Sequence, residues 1–272
     1  MNNKISVVRT EDKPIEKGDI VTVYFSEKYM LISHKQSGGD IGYKKISNNQ
    51  YLNTATGEIK TIDKSLNDKR NINSLRNTFF DLSLLISLNF NGDSSECFIT
   101  LTYNRKVNSD SITKDIKNFW GRFCRYVKDY KIYKAIFILE YQNNHNPHLH
   151  LLLKRTDNKK INFSELEIKS LWKNGQIDVQ SIYDIDGLVN YLSPFHNDKK
   201  MKRLSYYKPY VKVFRCRGNI NRPQKLKMSY HSALKLAEEN NLKEYKNNSY
   251  EVLDNNIESI NKITKLSFKR VK

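Results

Sequence analysis

The sequence predicts an α+β fold in which helices cover one face of a mainly antiparallel sheet. Two observations support this class. Short segments rich in β-branched and aromatic residues alternate with longer segments whose apolar residues recur at helical spacing. Between residues 97 and 192 these segments follow the order β-α-β-β-α-β-α, which is typical of a layered α+β domain.

Two helices are predicted on either side of the first strand of this region. A helix begins near Ile72, because the apolar residues of "INSLRNTFFDLSLLISLNF" lie close to helical spacing until "NGDSSE" ends it. The segment "CFITLTYN" (97–104) predicts a strand. The helix "SITKDIKNFWGRFCRYVKDY" follows, with Asp110 or Ser111 as its predicted cap.

A hairpin follows, with strands at 133–141 and 147–154 joined by the turn-rich "QNNHN". Next come a helix in "NFSELEIKSLW", a strand in "QIDVQSI" and a short helix in "GLVNYL". Asp184 or Asp186 is the predicted cap of the short helix, and Pro194 stops it.

The chain is expected to have three parts. Residues 1–70 read as short strands and turns without evident chemistry, and we interpret them as an N-terminal extension of unknown role. Residues 71–227 form the main domain. Residues 228–272 are predicted to be a basic, helical C-terminal tail, with a helix in "HSALKLAEEN".

Charge is the strongest signal in the composition. Lys and Arg total 47 against 29 Asp and Glu, a formal net charge of +18, which favours a polyanionic partner, most often nucleic acid. No apolar run reaches the roughly 18–20 residues of a membrane span, and the N-terminus lacks a signal-peptide core, so a cytoplasmic location is expected. Cys97, Cys124 and Cys216 lie far apart without a Cys-x-x-Cys pair, which indicates free thiols.

The positive charge is concentrated between residues 199 and 227. This segment holds eleven Lys and Arg residues and no Asp or Glu, with Tyr210 and Phe214 among its aromatic residues. Rings between cations can stack on unpaired bases. The predicted DNA-binding residues are Lys199, Lys200, Lys202, Arg203, Tyr206, Tyr207, Lys208, Arg215 and Arg217.

The segment "NPHLHLLL" places His148 and His150 on the same face of a strand, because residues two apart point the same way. If the hairpin turns near Asn144, Glu140 lies opposite His148, with Cβ atoms roughly 4.5–5.5 Å apart. A register changed by one residue would turn Glu140 away. Two imidazoles and a carboxylate suit Mg²⁺ or Mn²⁺ with positions left open, and zinc is also chemically possible.

Three segments in this order, "CFITLTYN", "LEYQNNHNPHLHLLL" and "GQIDVQSIYDIDGLVNYLSPF", resemble the ordered motifs of rolling-circle replication initiator (Rep) proteins. These are HUH endonucleases of bacterial plasmids and phages. The resemblance spans roughly residues 73–225, and it implies a ferredoxin- or RRM-like HUH nuclease fold.

The resemblance also implies roles for individual residues. The metal-binding histidines fall on His148 and His150, the acidic third ligand on Glu140, and the catalytic tyrosine on Tyr191. The "TLT" of the first motif, residues 100–102, corresponds to a structural strand beside the site.

One position departs from the family pattern. A lysine commonly lies three residues after the tyrosine, where this chain has Pro194. Lys199 or Lys200 could take that place, the metal alone could carry the charge, or the protein could be impaired in cleavage. Tyr183 is a rival nucleophile, although its position in a strand-to-helix turn makes Tyr191 the preferred one.

The implied function is a metal-dependent endonuclease and ligase that nicks DNA through a 5′-phosphotyrosyl link and initiates rolling-circle replication. The implied partners are single-stranded or extruded origin DNA and the host helicase and polymerase. The alternatives are a transposase or relaxase of the same nuclease type and a catalytically silent DNA-binding regulator on this fold.

Overall fold

A computed structural model of the chain describes residues 6–9, 14–26, 28–37, 43–46, 50–53, 56–61, 67–142, 146–194, 198–208, 211–253 and 259–270. The chain divides into two compact units. The central unit comprises Asn67–Asn221, and the terminal unit combines Met1–Leu66 with Arg222–Lys272. Among the described residues, no helix is both long and apolar enough to cross a membrane.

The strands, in chain order, are β1 (Ser6–Arg9), β2 (Ile20–Ser26), β3 (Tyr29–Ser37), β4 (Tyr43–Lys45), β5 (Gln50–Asn53), β6 (Ile59–Thr61), β7 (Glu96–Thr102), β8 (Tyr133–Tyr141), β9 (Pro147–Arg155), β10 (Ile177–Ser181), β11 (Phe214–Arg217), β12 (Gln224–Ser229), β13 (Leu242–Leu253) and β14 (Ser259–Arg270). The α-helices are α1 (Asn67–Asn89), α2 (Ser109–Val127), α3 (Glu165–Trp172), α4 (Ile185–Leu192), α5 (Asp198–Met201) and α6 (Tyr230–Glu239). Short 3₁₀ helices lie at Tyr130–Ile132 and Lys202–Tyr206.

The central unit is built on a five-stranded sheet of order β10-β7-β9-β8-β11, and every neighbouring pair is antiparallel. The α+β class is therefore confirmed, as is the predicted order β7-α2-β8-β9-α3-β10-α4. The sequence predicts these elements well because each is long enough to show its own periodicity.

Helices lie against both faces of this sheet, whereas the sequence predicted one covered face. On one face, the ring of Phe119 in α2 contacts Phe137 of β8 and Trp172 of α3. On the other face, Tyr191 of α4 contacts Phe98 of β7. The core is thus completed on two sides, and the second face is the one that carries the histidines.

The helix caps follow the chemistry of short polar side chains. The cap of α2 is Asn108, whose side chain accepts a bond from the backbone N–H of Ser111, so the predictions of Asp110 or Ser111 as the cap are wrong. Asp184 caps α4 as predicted, by accepting from the N–H of Gly187. This cap sets the start of the helix that carries Tyr191.

The terminal unit contains a six-stranded antiparallel sheet of order β1-β13-β14-β3-β2-β12 and a small sheet of order β4-β5-β6. Helix α6 covers one face of the larger sheet. Its Ala233 and Ala237 belong to the same core as Val23, Ile32 and Phe268. This unit therefore has a hydrophobic core of its own.

The prediction of a helical tail is wrong for most of residues 228–272. Within the described part of this segment, only Tyr230–Glu239 is helical, and β13 and β14 follow it. Both β14 and β3 belong to one sheet, so the N-terminal segment and the C-terminal segment fold together. In β14 the apolar Leu266 and Phe268 alternate with Lys265, Ser267 and Lys269, and judged by composition alone this pattern suggests a polar tail.

Candidate active site

The register of the β8–β9 hairpin brings Glu140 and the two histidines onto one face. Glu140 pairs with His148, as the parity of the sequence predicted. His148 in turn pairs with Thr102 of β7, and His150 pairs with Thr100. Side chains at directly paired positions share a face, so the predicted set of a carboxylate and two imidazoles forms one patch of the sheet.

His150 is the buried member of the pair, with 4% of its surface exposed. Its Nε2 lies 2.8 Å from Oε2 of Glu140, and its Nδ1 lies 3.3 Å from Oγ1 of Thr100. The ring also stacks on Phe98, with centroids 5.1 Å apart. Both ring nitrogens and one ring face therefore have partners, which fixes the orientation of the imidazole.

His148 is half-buried beside them. Burial lowers the pKa of His148, and the neighbouring His150 lowers it further. A neutral imidazole is the form that binds metal ions.

Glu140 is held as a carboxylate by its neighbours. Burial alone would raise the pKa of Glu140, but the hydrogen bond and charge of His150, together with Lys200, lower it to about 2. Its Oε1 lies 3.0 Å from Nζ of Lys200 and 3.7 Å from Nη1 of Arg203. One carboxylate oxygen thus faces the imidazole, and the other faces two cations.

Tyr191 lies next to this group, with 52% of its surface exposed. Its ring centroid is 6.0 Å from that of His150. The Nζ of Lys200 lies 4.0 Å from the Tyr191 ring centroid and donates to the Tyr191 carbonyl oxygen at 2.7 Å. Burial raises the pKa of the Tyr191 hydroxyl, and the charge of Glu140 raises it further, so the hydroxyl is protonated at neutral pH.

The rival Tyr183 is placed differently. It lies in the turn before α4, with 87% of its surface exposed. The described ring contacts of His150 involve Phe98 and Tyr191 and do not include Tyr183. Of the two tyrosines, Tyr191 is therefore the one that the fold brings to the histidine.

Within the described part of the chain, no three or more His, Cys, Asp or Glu side chains lie close enough together to hold a metal ion. The Glu140–His150 pair nevertheless fits a divalent cation by type of donor. Two ligands about 2.1 Å from an octahedral ion and at right angles are about 3.0 Å apart, close to the 2.8 Å between Oε2 and Nε2. His148 is the third donor on the same face.

Some predicted DNA-binding residues do not face the histidines. Tyr207 is buried, with 4% of its surface exposed, and donates to the carbonyl oxygen of Leu139 at 2.9 Å, so its ring is not available for stacking. Arg215 and Arg217 pair with Phe137 and Ala135, on the opposite face of the sheet from His150. The fold therefore does not bring these three side chains to the histidines, and their role in DNA binding stays a prediction.

The other predicted DNA-binding residues divide into three groups. Lys200 and Arg203 contact Glu140. Lys208 is exposed, and Tyr206 is half-buried with its ring edge toward Tyr141. The side chains of Lys199 and Lys202 lie outside the described residues, as does His145 of the hairpin loop.

Asp178 is a site residue that sequence reasoning missed. It lies on β10 and pairs with Thr100, so it shares the face of His150. It accepts from Nε2 of Gln180 at 2.6 Å, and its charge helps to raise the pKa of Tyr191. The only signal in the sequence was a carboxylate in a short strand, and that carries no information on register.

Part of the chain matches a known protein family. Residues 96–200 match a family of replication-associated proteins, the one described as "Replication-associated protein ORF2". The matched segment runs from β7 to α5 and contains Glu140, both histidines, Tyr191 and Lys200. A search of curated proteins gives no significant match. The similarity of the central region to replication-associated proteins supports a role in DNA replication.

Proposed function

We propose that this protein is a site-specific endonuclease and ligase for single-stranded DNA that initiates rolling-circle replication through a 5′-phosphotyrosyl intermediate. The observation that carries the proposal is the position of Tyr191. Its ring lies 6.0 Å from that of His150, which is bonded to Glu140 in a region similar to replication-associated proteins.

Tyr191 is the nucleophile in this proposal. Its hydroxyl releases its proton to solvent as the oxygen attacks the scissile phosphorus. The bond from phosphorus to the 3′ oxygen breaks, and the 3′ oxygen takes up a proton from solvent, so protons and charge balance. The products are a phosphotyrosyl link at the 5′ end and a free 3′-OH. Because the link is itself a phosphodiester, attack by a 3′-OH can rejoin the strand. The free 3′-OH is also a primer for a host polymerase, with a helicase as the further expected partner.

The surrounding side chains position and neutralise charge. Lys200 lies against the Tyr191 ring and Glu140 at once, where its ammonium can stabilise negative charge on the phenolic oxygen or on a bound phosphate. In this proposal Lys200 takes the part of the lysine that the family pattern has where this chain has Pro194, and its contacts with Tyr191 and Glu140 support that choice. Thr100 holds His150 in orientation through Nδ1.

Glu140 Oε2, His148 and His150 are the residues that would hold Mg²⁺ or Mn²⁺. When bound, the ion supplies Lewis acidity that withdraws charge from the scissile phosphate and stabilises the departing oxygen. His148 is half-buried, and a phosphate would approach it from its solvent-exposed side.

A catalytically silent DNA-binding regulator is the second candidate, and one observation favours it. Lys200 and Arg203 already compensate the charge of Glu140. If these pairs persist on DNA, they compete with a metal ion for the carboxylate.

Incubation with single-stranded origin oligonucleotides and Mn²⁺ tests the proposal. We expect a covalent protein–DNA adduct, seen as a band of raised mass on a denaturing gel. Tyr191→Phe should abolish this adduct because it removes the attacking oxygen. Tyr183→Phe, a matched change on the exposed rival, should leave the adduct yield within about twofold of wild type.

Two results would count against the assignment. Adduct formation by Tyr191→Phe together with its loss in Tyr183→Phe would transfer the nucleophile to Tyr183. Binding without any adduct under several divalent metals would favour the silent regulator.

A further inference from the structure

The larger sheet of the terminal unit has two faces of opposite character. One face packs on α6 through the apolar side chains of β2, β3 and β14. The register of the same strands places lysines on the opposite face, which we call the lysine face. Its lysines are Lys35, Lys225, Lys227, Lys243, Lys246, Lys265 and Lys269.

Cross-strand pairing defines the lysine face in rows. Lys227 pairs with Thr22, which pairs with Ser33. Ser33 pairs with Lys265. A second row runs from Lys225 through Tyr24 and ends at Lys246 of β13. Directly paired residues share a face, so these lysines from separate strands lie on one side of the sheet, although the middle of that side is buried at Leu31 and Ser267.

Acidic residues are absent from the described side chains of the lysine face. Several described carboxylates of this unit instead lie on the α6 side. Asp19 approaches His34 there at 3.5 Å, and Glu238 and Glu239 lie on the helix itself. Such segregation of charge across a sheet exceeds what solubility requires, because a solvated surface generally mixes both signs.

The exposed charge is concentrated along the two borders of the face. Lys225 and Lys227 are exposed on β12, and Lys243 and Lys246 are exposed on β13, whereas Leu31 between them is buried. Each border also carries a tyrosine. Nζ of Lys225 lies 5.6 Å from the ring centroid of Tyr24, and Nζ of Lys269 lies 4.4 Å from that of Tyr245.

From this combination we infer that the exposed borders of the lysine face bind single-stranded nucleic acid through its phosphates, with Tyr24 and Tyr245 stacking on bases. Lysine ammonium groups neutralise phosphates and release counterions. Tyrosine rings beside them stack on unpaired bases, which a duplex keeps inside its stack. The matched region ends at residue 200, so it does not include this surface. Binding here requires no strand cleavage, so the inference holds or fails independently of Tyr191.

Fluorescence anisotropy with labelled oligothymidylate, titrated with full-length protein over a series of salt concentrations, tests the inference. The double variant Lys225→Ala/Lys227→Ala should weaken binding about fivefold or more. It should also reduce the slope of log K against log salt by about 1.4, since each phosphate contact to a single strand contributes about 0.7.

The matched control is Lys17→Ala/Lys235→Ala, which removes the same charge from the turn before β2 and from α6. It should leave affinity and slope close to wild type. Far-UV circular dichroism and the melting temperature establish that both double variants are folded. Equal affinities and slopes for the two double variants would overturn the inference.

Tyr24→Leu tests the preference for single strands. It should weaken oligothymidylate binding about fivefold or more without changing the salt slope, because stacking releases no counterions. A duplex of the same length should be bound more weakly and should not respond to Tyr24→Leu. Equal binding of strand and duplex, with no effect of Tyr24→Leu, would exclude base stacking and overturn the choice of single strands.

Discussion

At the scale of single residues, Glu140 is the residue on which the candidate site depends most. It faces His150 with one oxygen and Lys200 and Arg203 with the other. The first contact is made within the sheet, and the second comes from residues beyond Pro194. The charge on this carboxylate is therefore balanced from two separate parts of the chain.

A second charged residue, Lys154, is buried on the same face of the central sheet as Glu140 and forms an ion pair with Glu96. Glu96 also accepts from the backbone N–H groups of Asn91 and Gly92. Lys154→Met would leave Glu96 buried without its cation, so we expect unfolding free energy to fall by about 3–5 kcal/mol. Denaturant titration followed by tryptophan fluorescence measures this change.

The neighbouring residue supplies a control for Lys154→Met. Arg155 forms an ion pair with Asp157 nearer the surface, so Arg155→Met should cost much less. Equal losses for the two variants would mean that the Lys154–Glu96 pair does not stabilise the central unit as a buried pair.

For single residues, the sequence predicted correctly those positions that depend only on the alternation of side chains along a strand. The shared face of Glu140, His148 and His150 follows from the parity of a hairpin. The burial of Tyr207 and the contribution of Asp178 depend on which elements pack together across long separations in sequence. No local pattern around either residue carries that information.

At the scale of elements, the edge strand β11 depends on the glycine that follows it. Gly218 has φ of +71°, and a Cβ there would lie 2.3 Å from the carbonyl oxygen of Tyr133. Gly218→Ala therefore meets both an unfavourable backbone conformation and a collision with β8. We expect a loss of about 1–3 kcal/mol in the stability of the central unit, measured by chemical denaturation.

The control is Gly121→Ala in the middle of α2, where the nearest atom to the added Cβ is Nη1 of Arg125 at 3.7 Å. Alanine is the better helix former, so this change should stabilise by about 0.5–1 kcal/mol. Opposite signs for two chemically identical substitutions are the expected result. A stabilising Gly218→Ala would show that β8 and β11 adjust without cost.

Elements with a long amphipathic pattern were predicted better than elements without one. Helix α2 and the hairpin β8–β9 show clear periodicity and were found with near-correct bounds. The strands β13 and β14 were missed, because their polar face is filled with lysines and their partners β1 and β3 lie at the other end of the chain. Pairing between segments far apart in the sequence produces no recognisable pattern within a short stretch of residues.

At the scale of the whole molecule, the two units should respond differently to pH. Burial lowers the pKa of Lys265 in the terminal unit from 10.5 to about 8. A charged Lys265 therefore opposes folding below about pH 8, and stability of this unit should rise between about pH 8 and 10.5 as the folded state releases the proton. Lys265→Met should stabilise the unit by about 1–3 kcal/mol at pH 7, with the gain shrinking across that range.

Tryptophan fluorescence distinguishes the pH response of one unit from that of the other, because Trp120 and Trp172 both lie in the central unit. Their fluorescence follows that unit, whereas far-UV circular dichroism follows both. A gain from Lys265→Met that stays constant from pH 7 to 10.5 would contradict a desolvated lysine as its source.

The pairing of β3 with β14 has a consequence for synthesis on the ribosome. Ser37 and Asn261 are partners, although about 220 residues of chain separate them. At roughly 5–20 residues per second, β3 must wait about 10–45 s for its partner to be made. The central unit emerges and can fold in this interval, while Met30 and Ile32 still lack the strand and helix that will cover them. The nascent terminal unit is therefore the part of this protein for which protection by a chaperone matters most.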